Sequence, residues 1–151
     1  MNHPGGPGHS SHPSHTALAA RVSTTLVTGP SAGARERCIA AHVAAQQAPG
    51  SGDSDTFGTL GTLGAILLEG LPDGHTVLSP SPALLIERIA PGCLCCAGNL
   101  VLRVTLNRLL RRRPAWLVIG LATTEHLDQL RSWLQEPPYD QLLALGPGLH
   151  A

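Results

Sequence analysis

The stretch Arg21-Val22-Ser23-Thr24-Thr25-Leu26-Val27-Thr28-Gly29-Pro30-Ser31-Ala32-Gly33 decides how the chain folds. Arg21 to Thr28 is rich in β-branched side chains, which suit an extended, half-buried backbone. Gly29-Pro30 breaks that run. From Ala34 to Gln47 the residues are Ala-rich, with Ile39 and Val43 four apart on one helical face. Strand, glycine loop and helix in that order open a phosphate-binding βαβ unit, because the free N–H groups at a helix start attract anions. Cys38 falls inside this helix and reads most simply as a small core residue.

Working outward, the alternation continues. Ala65–Leu68, Thr76–Leu78 and Leu84–Ile89 are short strand candidates, with a turn at Pro72-Asp73-Gly74. Asn99 to Arg112 is the clearest helix, with Leu102, Leu106, Leu109 and Leu110 forming its apolar stripe. Arg111, Arg112 and Arg113 stand at its C-terminus, where cations complement the helix dipole, and Pro114 ends it. Ala115–Leu121 is a continuous apolar run, as in a parallel strand covered on both faces. Thr124 is placed to cap a last helix with Leu127, Leu130 and Leu134 inward, ending before Pro137-Pro138. Gln141–Leu145 reads as one short strand or helix. Strands alternating with helices predict an α/β fold with a mostly parallel sheet.

With 151 residues the chain suits one domain with a modest core. Residues 1–16, carrying His3, His9, His12 and His15 among Gly, Pro and Ser, read as a disordered His-rich tail. The domain is expected over 17–145, with a tail at 146–151. Ten arginines balance ten acids, which argues against a nucleic-acid or membrane-surface partner. No apolar run is long enough to span a bilayer. The start lacks a basic and apolar leader pattern, and the cysteines do not spread like a disulfide framework, so a cytoplasmic protein is expected.

The densest chemistry lies at Pro91-Gly92-Cys93-Leu94-Cys95-Cys96-Ala97-Gly98-Asn99, where three of the four cysteines fall within four residues. Thiolates are soft ligands for zinc and similar ions, and the flanking glycines let the backbone turn so that sulfurs converge. Three thiolates leave a tetrahedral zinc shell one ligand short, so a fourth comes from elsewhere or the site stays open. An open site suits a protein that passes metal on. Adjacent Cys95 and Cys96 share one ion only with backbone distortion, so two sulfurs plus outside ligands is a second arrangement. Small buried residues and a redox-sensitive thiol pair are the non-metal readings.

Three stretches together resemble the CobW-like P-loop GTPases, relatives of the HypB and UreG metal-insertion GTPases. They are Leu26-Val27-Thr28-Gly29 with its small-residue loop, Gly92-Cys93-Leu94-Cys95-Cys96 before a helix, and Leu109 to Pro114 before Leu117-Val118-Ile119. The resemblance spans roughly residues 21–135 in matching order. It implies a P-loop NTPase-like sheet, a metal-binding role for Cys93, Cys95 and Cys96, and a glutamate at the second strand's end, here Glu69, serving the metal or switch site. It also implies work in metal homeostasis, with Zn2+ or another thiophilic divalent metal as cofactor and a client metalloprotein or a full-length relative as partner.

The departures from that family are specific. The phosphate loop G-x-x-x-x-G-K-[ST] is represented by Gly29-Pro30-Ser31-Ala32-Gly33-Ala34-Arg35-Glu36. Ala34 replaces the second glycine, Arg35 the lysine that reaches the β/γ-phosphates, and Glu36 the hydroxyl that holds magnesium. A carboxylate there would sit near phosphate oxygens and repel them, or would need extra metal. The chain has no lysine at all, so the guanine-reading N-K-x-D motif is absent too. The family's C-terminal domain has no counterpart. These losses predict inefficient GTP hydrolysis and leave room for weak nucleotide binding through Arg35 and the helix start. The first expectation is therefore a zinc-binding accessory protein or metallochaperone on a degenerate, truncated GTPase scaffold. The alternatives are an atypical active GTPase of the same role and a non-enzymatic regulatory remnant.

Overall fold

A computed structural model of the chain describes residues 20–47, 62–92 and 100–151. The elements run β1 (Val22–Thr28), α1 (Ala32–Gln47), β2 (Gly64–Glu69), β3 (Leu84–Ile89), α2 (Leu100–Arg111), β4 (Trp116–Gly120), α3 (Leu127–Leu134), α4 (Tyr139–Leu142), β5 (Leu143–Leu145) and β6 (Leu149–His150). The strand order is β3-β2-β4-β1-β5, with β6 also paired to β1, and every strand pair is parallel. The expected α/β, P-loop NTPase-like architecture, a parallel sheet flanked by helices, is what the chain adopts.

Helix crossovers cover both faces of the sheet, which explains why its central strands are apolar without interruption. All of β2 is buried, and so is β4 after Trp116. Successive side chains point to opposite faces. Leu26, Leu67, Leu117 and Ile119 pack with Leu102, Leu106 and Leu109 of α2 and Leu130 and Leu134 of α3. Val27, Ile66, Leu68 and Val118 pack with Ile39 of α1 on the other side, with Cys38 and Val43 at the margin. Gly64 is required by close approach: a Cβ there would overlap the ring of Trp116, its register partner on β4.

Four local expectations change. Thr76–Leu78 is not a strand; Leu78 alone is buried, against the α1-side core, and residues 76–78 pair with no strand. Helix α1 begins two residues early, at Ala32, because Ser31 caps it: Oγ accepts the Ala34 N–H at 3.1 Å. Thr124 does not cap α3. His126 holds that position without a side-chain cap, and Thr124 contributes only its carbonyl, to the Leu127 N–H. Residues 146–151 are not a tail. Gly146 N–H donates to the Thr24 carbonyl at 2.9 Å and Ala151 N–H to the Thr28 carbonyl at 2.8 Å, so the segment satisfies β1 carbonyls along its flank. The open reading of 141–145 resolves into the end of α4 followed by β5. The His-rich stretch 1–16 lies outside the described residues.

Candidate functional site at the carboxyl edge of the sheet

In open parallel sheets, ligands bind beyond the carboxyl ends of the strands. Here that edge gathers the ends of β1, β2, β3 and β4 with the loops that follow. Glu69, the last residue of β2, is 7% exposed. Its Oε1 accepts the Gly92 N–H at 2.7 Å and its Oε2 accepts the Ala122 N–H at 2.8 Å. One carboxylate thereby ties the loop after β3 to the loop after β4. Gly92 has φ 84°, a left-handed conformation open to glycine and strained for other residues. Both oxygens of Glu69 accept a backbone N–H, and each keeps a second lone pair.

Beside this clamp lies a cavity of about 210 Å³ lined by Glu69, Gly92, Ala122, Thr123, Glu125 and His126, among others. His126 Nε2 stands 3.9 Å from Glu125 Oε2. Neither Glu125 nor His126 carries a sequence motif, and neither was legible as a site residue. What brings them here is the turn leading from β4 into α3.

The glycine loop is arranged differently from a phosphate cradle. Arg35 is 6% exposed, and its Nη1 donates to the Gly29 carbonyl at 3.1 Å, so the guanidinium folds back onto its own loop. Glu36 is 3% exposed and faces β3, where Arg88 Nη1 lies 2.9 Å from its Oε1. Its Oε2 has no hydrogen-bond partner among the described residues. The carboxylate of Glu36 thus turns toward the sheet and pairs with Arg88. Gly29 packs on the C-terminal segment: a Cβ at this position would lie 2.7 Å from that of Ala151. Thr28 Oγ1 and His150 Nδ1 share a hydrogen bond of 3.0 Å beneath it. Gly33 and Ala34 lie in the first turn of α1, Gly33 buried and Ala34 bonded to Ser31.

Cys93, Cys95 and Cys96 lie outside the described residues. Among the described residues no three His, Cys, Asp or Glu side chains gather to hold a metal ion. No helix there is long and apolar enough to cross a membrane.

Fold and edge together define the class: a parallel-sheet α/β protein with a glycine loop after its inner strand β1 and a carboxylate-clamped pocket at the strands' carboxyl ends. The chain matches no protein-family model, no curated protein and no solved structure.

Proposed function

We propose that this protein binds a thiophilic divalent metal, zinc foremost, through Cys93, Cys95 and Cys96, and serves as an accessory or metallochaperone-type protein rather than a GTPase. The observation that carries the reading is the Glu69 clamp. Gly92, the residue directly before Cys93, is tied by its N–H to a buried carboxylate at the ligand-binding edge of the sheet. In the sequence the three cysteines begin one residue after this anchored glycine. The donor set fits zinc chemically, since thiolates in a glycine-bounded loop are what structural and transfer sites use. The pocket beside Gly92 also offers an imidazole and a carboxylate, from His126 and Glu125, the donor types that complete a three-thiolate shell. Glu69, with both oxygens engaged, acts in this reading by positioning the loop.

The buried commitments of Arg35 and Glu36 favour the accessory role over the atypical GTPase. Phosphoryl transfer needs a free cation and a magnesium ligand at those positions, and both side chains are spent on the protein's own groups. The client metalloprotein, or a full-length relative, is the partner this role calls for.

The test is a competitive chelator titration of zinc into the reduced protein. One tightly held zinc per chain is expected, lost in Cys95→Ser/Cys96→Ser and accompanied by proton release as the thiols ionise. Zinc binding no tighter than in the double variant would overturn the proposal.

A further inference from the structure

At the amino edge of the sheet, opposite Glu69, a groove runs between the end of α2 and α4. Two cavities of about 430 and 320 Å³ adjoin there, because Leu110 and Leu142 line both. Val22 and Pro114 extend the apolar floor of the larger one. Leu142 is 42% exposed, so this floor is open to solvent. Arg113 lines the larger cavity and Arg111 the smaller. Neither guanidinium has an ion-pair or hydrogen-bond partner among the described residues. No acidic side chain lines either cavity. Asp140, two residues before Leu142, lines a separate cavity with Arg21 instead.

Arg113 holds its place at a cost. Its φ of 53° is left-handed, although a residue before proline is normally extended. Its N–H donates to the Leu110 carbonyl at 2.9 Å, closing α2 at a position that glycine fills more cheaply. The helix dipole accounts for cations in the last turn, Arg108 and Arg111. It does not call for a bulky cation in the left-handed position beyond that turn. A strained residue beside an open groove points to a use for its side chain.

We propose that this groove docks an acidic, amphipathic segment of a partner protein. An apolar side chain of that segment leaves water for the floor of Leu110 and Leu142, while flanking carboxylates pair with Arg111 and Arg113. The charge complementarity selects the occupant, since the lining offers two unpaired guanidiniums and no acid. A phosphate backbone would satisfy the cations and leave the apolar floor wet.

The probe is a displayed library of random linear peptides, selected on the reduced full chain. Enriched peptides are then synthesised and measured by fluorescence anisotropy. They should carry an apolar residue flanked by Asp or Glu, and should shift the amides of Leu110, Arg113 and Leu142 in NMR. Arg111→Ala and Arg113→Gly should each weaken binding about tenfold or more. Arg113→Gly should do so while melting no lower than the wild type, because glycine accepts the left-handed turn. Failure to enrich any peptide, enrichment of neutral or basic ones, or unchanged affinity in both variants overturns the inference. Tighter binding of oligothymidylate at the same amides would assign the groove to nucleic acid and overturn it too. So would a dimer that shifts those amides without peptide, or the same shifts in Asp53→Asn/Asp55→Asn, which would give the groove to a second copy or to the chain's own acidic stretch. Peptide affinity should be the same with and without zinc, since Gly92 and the pocket beside it lie at the opposite edge, so the outcome is independent of the thiolate reading.

Discussion

Glu69 shows how much one buried carboxylate can organise. It is shielded from solvent, yet both oxygens accept backbone N–H groups from separate loops. Hydrogen bonds to a charged group are each worth roughly 1.5–3 kcal/mol. In Glu69→Gln one oxygen becomes an NH2 facing a backbone N–H, so a donor meets a donor. We expect a loss of about 2–4 kcal/mol, read as a lower urea midpoint at unchanged slope. Amide exchange at Gly92 and Ala122 should accelerate more than in the strands, since those N–H groups lose their acceptor.

Tyr139 makes a second prediction at this scale. It is the chain's single tyrosine, so absorbance at 295 nm reports it alone. Burial raises its pKa, opposed by the nearby Arg103 charge and by the Asn107 hydrogen bond. A folded value above the unfolded one means that the contribution to stability is full below the unfolded value and is lost as pH rises through the folded value. The tyrosinate midpoint should lie above about 10, the value of the free side chain. Stability should decline across that window in the wild type, and Tyr139→Phe should lack this part of the decline.

Helix α2 is split lengthwise at the level of the element. Leu102, Leu106 and Leu109 are buried against β2, β4 and α3, while Leu100, Val101 and Val104 stand exposed on the other side. Leu106→Ala should cost about 2–5 kcal/mol through lost burial and a cavity, whereas Val104→Ser should stay within about 0.5 kcal/mol. Thermal or urea unfolding of the two variants separates them directly. The pair Arg108–Glu87, 3.0 Å apart but substantially exposed, ties α2 to β3 without adding more than about 1 kcal/mol. The leucine spacing of α2 was readable because a helical period and a one-sided core obey the same geometry. The failed strand at Thr76–Leu78 had the right residue types, yet residues 76–78 pair with no strand. β2 is already flanked by β3 and β4, and propensity says nothing about an available partner.

For the molecule as a whole, the α2 crossover joins an edge strand to the inner strand β4, with the thiol segment at its start. A ligand bound only by the folded chain stabilises it by mass action, about 2.7 kcal/mol at a hundred times its dissociation constant. Zinc should therefore raise the melting temperature of the reduced protein in a concentration-dependent way, and Cys95→Ser/Cys96→Ser should abolish the rise. A melting curve insensitive to zinc would set aside thiolate binding coupled to this fold.

The chain's local chemistry determined the fold class. Uninterrupted apolar runs, a glycine break before an Ala-rich helix and a leucine stripe each report on their own few neighbours, and together they specify a covered parallel sheet. The dense thiols and the missing lysine were equally plain, being facts of composition. Only the tertiary structure decided what Arg35 and Glu36 do, that residues 146–151 line β1, and that Glu69 clamps two loops. These depend on groups far apart in the chain, such as Glu69 with Ala122 and Thr28 with His150. A buried polar group takes whatever partner the packing brings within hydrogen-bond reach, and no local pattern encodes that partner's identity.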